Sequence, residues 1–123
     1  MAYIGLISDT HGFFDDKLKK FLEPVDEIWH AGDFGNIETA DAIARFKPLR
    51  GVYGNCDGYD VRLSHPYTQF FEIEGMRVLM MHIGGYPGRY DYKAFQLINA
   101  HLPNIFVCGH SHILKVINDS KYN

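Results

Sequence analysis

Residues 2–11 read Ala-Tyr-Ile-Gly-Leu-Ile-Ser-Asp-Thr-His. The short apolar run over 2–7 suits a fully buried strand, and it delivers Asp9 and His11 just past its end. Two residues apart at the frayed end of a strand, those side chains can point to one side. The device recurs along the chain. Glu27–His30 reads as a strand before Ala31-Gly32-Asp33, and residues 49–53 precede Gly54-Asn55-Cys56-Asp57. The run 77–82 closes on Met81-His82, and Ile105–Cys108 precedes Gly109-His110-Ser111-His112. Side by side in a sheet, these strands would bring all five clusters to one edge, where open α/β sheets bind ligands. Glycines accompany most clusters (Gly12, Gly32, Gly35, Gly54, Gly109) and suit tight turns and close approach.

The segments between complete the pattern. Residues 15–22 read as a helix closed by Pro24. Residues 36–46 carry helical spacing at Ile37, Ala40, Ile43 and Ala44, with Asn36 as N-cap. The first half is therefore β-α-β-α-β, the signature of a parallel sheet with covering helices. In the second half, 68–73 and 77–82 flank Glu74-Gly75-Met76, which predicts a hairpin and antiparallel pairing. Residues 90–101 have helical spacing, and 113–117 alternate weakly after the strand at 105–108. The expected fold is a layered α/β (α+β) domain over residues 1–123, with two packed mixed β-sheets flanked by helices. Trp29 and the phenylalanines are assigned to its core.

A chain of 123 residues, 46% hydrophobic and 15% aromatic, fits one domain with a real core. No run approaches the roughly 18 apolar residues of a membrane span, and no basic segment precedes the first strand, so neither membrane insertion nor export is expected. Cys56 and Cys108, in or beside the donor clusters, read as reduced thiols of a cytoplasmic protein. The net charge is −3, with Lys17, Lys19 and Lys20 the densest basic group, on a solvated helix face. Nothing here forms a dedicated nucleic-acid groove.

Asp9, His11, Asp33, Asn55, His82, His110 and His112 offer only oxygen and imidazole-nitrogen donors. That set suits Mn, Fe, Zn, Ni or Co better than Ca or a purely soft site. A shared carboxylate can hold two such ions about 3.5–4 Å apart, bridged by a water whose pKa falls toward neutrality. Two dications against two carboxylates leave the site positive and attract an anionic phosphate ester. Taken singly, Asp9 fits a turn residue, Asp33 an N-cap and Asn55 a turn conformer. All seven in this order are a different matter.

The succession Asp-x-His, Gly-Asp, Gly-Asn-x-Asp, a lone His and Gly-His-x-His, from residue 9 to residue 112, resembles the calcineurin-like metallophosphoesterase superfamily. The resemblance is close to its small prokaryotic, YfcE-like phosphodiesterase branch, to which the retromer subunit Vps29 is related. It implies that Asp9, His11 and His112 hold one metal and that Asn55, His82 and His110 hold a second. Asp33 would bridge both, a hydroxide between the metals would attack phosphorus, and Asn55 would also contact the phosphate. The implied cofactors are two divalent transition metal ions, Mn foremost, with Ni, Fe, Zn or Co also suited. The implied activity is hydrolysis of a small phosphoester by a metal-dependent phosphodiesterase. The alternative is a non-catalytic, Vps29-like scaffold on the same fold.

Three departures from the family pattern stand out. Many members have a His after the Asn, taken as a general acid, where this chain has Cys56. The small phosphodiesterase branch shares this Cys, which at an ordinary thiol pKa is a poor match for that role. The lone His usually precedes Gly directly, whereas here the order is His82-Ile83-Gly84-Gly85. Relatives also continue past the Gly-His-x-His segment, so the chain is expected to lack the family's C-terminal strands. That would leave a sheet edge open and compatible with a homo-oligomer. Among neighbouring residues, His30 fits equally a group that orients a ligand and a satisfied, partly buried histidine. Asp57 fits first a turn carboxylate, then a group that orients a neighbour or substrate. Cys56 is expected as a small packed side chain near the metals. Arg89, in the Gly-rich loop after His82, fits a surface residue better than a phosphate contact. His65 and His101 are assigned to the surface or a helix, with no role.

Overall fold

The computed structural model describes residues 3–83, 85–86, 89–90, 92–109 and 115–117, with 85–86, 89–90 and 115–117 described by their backbone alone. Three strands, β1 (Ile4–Ile7), β2 (Glu27–His30) and β3 (Leu49–Gly51), form a parallel sheet in the order β1-β2-β3. Between them run α1 (Asp16–Leu22) and α2 (Ile37–Phe46), and α3 (Tyr59–Ser64) follows β3. A second, mixed sheet pairs β4 (Thr68–Ile73) antiparallel to β5 (Met76–Met81). β5 in turn runs parallel to β8 (Ile105–Cys108), and β8 antiparallel to β9 (Lys115–Ile117). The short pair β6 (Gly85–Tyr86) and β7 (Arg89–Tyr90) and the helix α4 (Tyr92–His101) lie between β5 and β8 in sequence. This is the layered architecture of two sheets and flanking helices that the sequence pattern predicts.

Strand alternation sorts the core into three layers. Ile28 on β2 packs with Leu22, Ala40, Ile43 and Val61 between the first sheet and its helices. Trp29, its neighbour, faces the other way and joins Val52, Val78, Met80 and Val107 between the two sheets. Leu79 and Met81 on β5, with Phe106 and Cys108 on β8, meet Ala94 and Ile98 of α4 beneath the second sheet. The order is thus helices, parallel sheet, mixed sheet, helix. Trp29 stacks edge-on against Phe71 at 5.0 Å, tying the sheets together. Arg50, ion-paired to Glu27, places its guanidinium 4.3 Å over the same Phe71 ring. Not every phenylalanine is core as expected: Phe13 and Phe21 are both 73% exposed. Among the described residues no helix is long and apolar enough to cross a membrane.

Local chemistry fixes the ends. Ile73 pairs with Met76 across a two-residue turn in which Glu74 and Gly75 both take positive φ, 50° and 80°. Those values match the turn whose twist suits a tight hairpin. Asp15 caps α1 by accepting from Leu18 N–H at 2.9 Å. Asn36 caps α2, accepting both Thr39 N–H at 2.8 Å and the Thr39 hydroxyl at 2.7 Å. Removing that cap in Asn36→Ala is expected to lower stability by about 1 kcal/mol, read as a shift in the urea midpoint with unchanged slope.

Candidate metal centre

Backbone pairing continues beyond the strands and sets the loops at their carboxyl ends. Ala31 N–H donates to Ile7 O at 2.9 Å, Asp9 N–H to Gly32 O at 2.9 Å, and His11 N–H to Asp33 O at 3.1 Å. In the second sheet, Gly109 N–H donates to His82 O at 2.9 Å. The segments after β1, β2, β3 and β5, with Gly109 just past β8, therefore meet at one edge, but from two packed sheets rather than the single sheet the motif order suggests. Asp9, His11 and Asp33 all sit in left-handed backbone, with φ of 54°, 47° and 61°. Such conformations cost non-glycine residues free energy and concentrate at functional sites.

The centre is built around Asp33. Its Oδ1 accepts Cys56 N–H at 2.9 Å, while Oδ2 lies 3.1 Å from His82 Nε2. Nδ1 of His82 lies 2.7 Å from the Ala31 carbonyl. A carbonyl can only accept, so Nδ1 carries the proton and Nε2 turns toward Asp33 and Asp9. Asp9 Oδ1 is 3.9 Å from that Nε2 and 3.8 Å from His11 Nε2, and Ser8 Oγ donates to Asp9 Oδ2 at 2.7 Å. The side chains of Asp9, Asp33 and His82 are 4%, 3% and 1% exposed, against 39% for His11. Two geometric groups result, with donor atoms within 4.8 Å of one another in each: Asp9, Asp33 and His82 inside, and His11, Asp33 and Cys56 outside. Asp33 belongs to both. Two carboxylates and an imidazole converging out of solvent favour a cation between them. The Nδ1–H···O=C bond also fixes the ring as metal-ligating histidines are commonly fixed. The donor set therefore fits divalent cations.

Two glycines make the approach feasible. A Cβ on Gly54 would run into Asp33 Oδ1. A Cβ on Gly32, at φ +103°, would lie 2.6 Å from His82 Nδ1.

Behind these donors two buried side chains hold the loops. Asp57 is no simple turn carboxylate. It accepts four backbone N–H groups, from Asp33 (2.9 Å), Phe34 (3.2 Å), Gly35 (3.0 Å) and Gly54 (2.9 Å). His30 is fully buried rather than partly so. Gly32 N–H donates to its Nδ1 at 3.0 Å, so Nε2 carries the proton and donates to Thr10 Oγ1 at 3.0 Å. The Thr10 hydroxyl passes on to Phe34 O at 3.0 Å. Burial, reinforced by His65, His82 and His11, holds the His30 pKa well below its usual 6.5. Phe34 lies between His30 and His65, with ring centroids 3.7 and 4.8 Å apart. His65 is therefore half-buried rather than a surface residue, and burial lowers its pKa too. Thr10, Phe34 and Ser8 carry roles that sequence reasoning missed, although Ser8 and Thr10 flank Asp9 in the quoted motif.

One other expectation changes. Cys56 is exposed, not packed. The Asp33 carboxylate, first among its neighbours, pushes its thiol pKa up. Asn55 is exposed on the same turn, its amide 3.6 Å from Cys56 Sγ. His110, His112 and the Arg89 side chain lie outside the described residues, though Gly109, just before His110, packs against Ser8 and Ala31.

The calcineurin-like phosphoesterase superfamily domain matches residues 3–122. The chain belongs to that superfamily. A probable metallophosphoesterase of Methanothermobacter thermautotrophicus is 31% identical over 117 residues, covering 89% of this chain. The chain spans 66% of that relative's length. Among solved structures, a Streptococcus pneumoniae protein described as a predicted phosphoesterase superposes with a TM-score of 0.69 at 21% identity, covering 98% of this chain and 68% of that one. Vps29 of Chaetomium thermophilum superposes with a TM-score of 0.76 at 18% identity, over 98% and 67% of the two chains. Both structures share the metallophosphoesterase fold described above.

Asp57→Ala leaves four N–H groups without their acceptor and is expected to lower stability by about 3 kcal/mol or more, measured by urea unfolding in EDTA. His30 gives a pH signature. Its folded pKa lies below the unfolded 6.5, so the unfolded chain takes up the proton first. Its contribution is full above pH 6.5 and is lost as pH falls from there toward the folded pKa. In EDTA, the wild-type chain should lose up to about 1.4 kcal/mol per pH unit in that window relative to His30→Gln. Parallel pH profiles would show that His30 does not carry the effect.

Proposed function

We propose that this chain is a metal-dependent phosphoesterase acting on a small phosphodiester, with Asp33 as the ligand shared between two cation positions. The observation that carries the reading is the pair of donor groups meeting at one buried carboxylate. Two divalent transition ions, Mn or its neighbours, would supply a water nucleophile of lowered pKa and positive charge for the phosphoryl oxygens. Asp9, His11 and His112 would hold one position and Asn55, His82 and His110 the other, with Asp33 shared between them. Asn55, exposed on the turn beside Asp33, would also contact the phosphate. His30 and Asp57 keep the loops in register without touching substrate, and an exposed His11 leaves the outer side open to a ligand.

The class of substrate follows from charge. A cation-filled site attracts a phosphate ester, and a cyclic nucleotide or a nucleotide-derived diester fits that description. One domain over residues 1–123 would carry the activity. An exposed Cys56 and a buried Cys108, both outside any disulfide among the described residues, fit the reducing cytoplasm. The likeness to Vps29 favours one other reading, a protein-contact scaffold, in which the donor residues would be retained without turnover.

Loaded with Mn or Ni, the purified chain should hydrolyse bis(p-nitrophenyl) phosphate, EDTA should abolish turnover, and Asp33→Ala should lower kcat/KM by more than about 100-fold. Metal-loaded, folded wild-type protein that turns nothing over would favour the scaffold.

A further inference from the structure

Among the described residues β4 is an end strand of the second sheet, whose order is β4-β5-β8-β9. Its register with β5 runs without a bulge from Thr68 opposite Met81 to Ile73 opposite Met76. Ile73 and Met76 flank the two-residue turn, so they are a hydrogen-bonded pair, and the pairs alternate from there. Ile73, Phe71 and Gln69 therefore turn their N–H and C=O groups to β5, while Thr68, Phe70 and Glu72 turn theirs to the open side. Folds usually blunt such an edge with proline, lysine, a bulge or a very short strand. β4 has none of these in its six residues, Thr-Gln-Phe-Phe-Glu-Ile. The other end strands are shorter: β1 has four residues, β3 and β9 three each.

We infer that β4 pairs with β4 of a second copy, antiparallel about a two-fold axis at Phe70. Outward groups of one copy must meet outward groups of the other. Centring the axis on Phe70 uses all three, setting Phe70 opposite the partner's Phe70 and Thr68 opposite the partner's Glu72. Each such pair exchanges both main-chain bonds. The side chains agree. Thr68 and Phe70 lie opposite Met81 and Leu79, which pack on Ala94 and Ile98, so this face of β4 is the one that carries α4. Phe70 is 42% exposed, yet its ring is held against His101 at the end of α4, with centroids 4.5 Å apart. The axis sets two such rings side by side, a favourable cross-strand pair. Beside Thr68, a cavity of about 460 Å³ is lined by Tyr67, Lys93, Gln96 and Leu97. The Lys93 ammonium stands 5.2 Å over the Tyr67 ring. Glu72 is exposed, and the pairing brings the partner's Glu72 to the rim of that cavity, on the side of Lys93. Symmetry makes this contact twice. Parallel pairing in register would set Glu72 beside the partner's Glu72 instead, which like charges disfavour.

Sedimentation velocity on the full chain across a concentration series tests this independently of metal and turnover. Wild type should sediment as a dimer that dissociates on dilution. Glu72→Lys alone and Lys93→Glu alone should each weaken it by about tenfold or more, and the double exchange should restore it. Phe70→Pro removes the central N–H, which an edge strand tolerates on its open side, and should leave a folded monomer. In a Cys56→Ser background, Phe70→Cys should cross-link two chains on mild oxidation. Hydrogen-bonded opposites stand about 5.5 Å apart at Cα, within disulfide reach. Glu72→Cys, opposite the partner's Thr68, should stay uncross-linked. Urea unfolding shows which variants are folded; should Phe70→Pro not be, the charge exchange and the cross-link decide. Wild-type chain that stays monomeric at every concentration overturns the inference. So does a dimer indifferent to the charge exchanges, or one that Glu72→Cys cross-links and Phe70→Cys does not. Open-ended larger assemblies overturn the two-fold pairing.

Discussion

Everything at the active edge depends on the carboxylate of Asp57. It is 3% exposed and bonded to four backbone N–H groups from two loops. A buried charge is tolerable only when hydrogen-bonded in full, and here the partners are main-chain dipoles rather than a cation. The arrangement turns Asp33 outward. With its N–H committed to Asp57, Asp33 keeps a φ of 61° and can address Cys56 N–H with one oxygen and His82 with the other. The loop after β3 and the loop after β2 thus behave as one unit, and Arg62 adds to it by donating to Asp57 O at 2.8 Å.

That unit stores strain. Three of the donor residues, Asp9, His11 and Asp33, occupy left-handed backbone that an unconstrained chain avoids. The main-chain bonds from Asp9, His11 and Gly12 to Gly32, Asp33 and Phe34 over-determine the conformation. The chain His30–Thr10–Phe34 fastens the same loops from beneath. A neutral, buried His30 suits this task because it accepts at one nitrogen and donates at the other, which a carboxylate or an ammonium cannot do.

The elements that were legible in sequence were those with a clean period. Glu27–His30, Thr68–Ile73 and Ile105–Cys108 coincide with the apolar runs that predict them, and Asn36 caps α2 as its position implies. α3 left no such trace: its six residues bury only Val61, and Gly58 caps it without a side-chain bond. Asp57 was legible as a turn residue but not as the clamp. Its partners are N–H groups more than 20 positions away as well as nearby, and main-chain donors write nothing into the residue pattern. The donor residues were visible because their types are rare and their order is fixed. The exposure of Cys56 was not, because the direction of a side chain on a tight turn depends on the turn's backbone rather than on its composition.

The remaining question is what holds His82, on the second sheet, against Asp33 on the first. Among the described residues no strand ladder joins the two sheets. Their separation is set by Trp29, Val52, Val78, Met80 and Val107 packed between them, with Arg50 and Trp29 both on Phe71. Close-packed interiors transmit changes of a methylene. The 2.7 Å contact from His82 to Ala31 O sits at the end of that layer, and Ala31 itself belongs to it. The intersheet core is therefore part of the candidate metal centre in a mechanical sense. It fixes the 3.1 Å distance at which His82 Nε2 faces the Asp33 carboxylate.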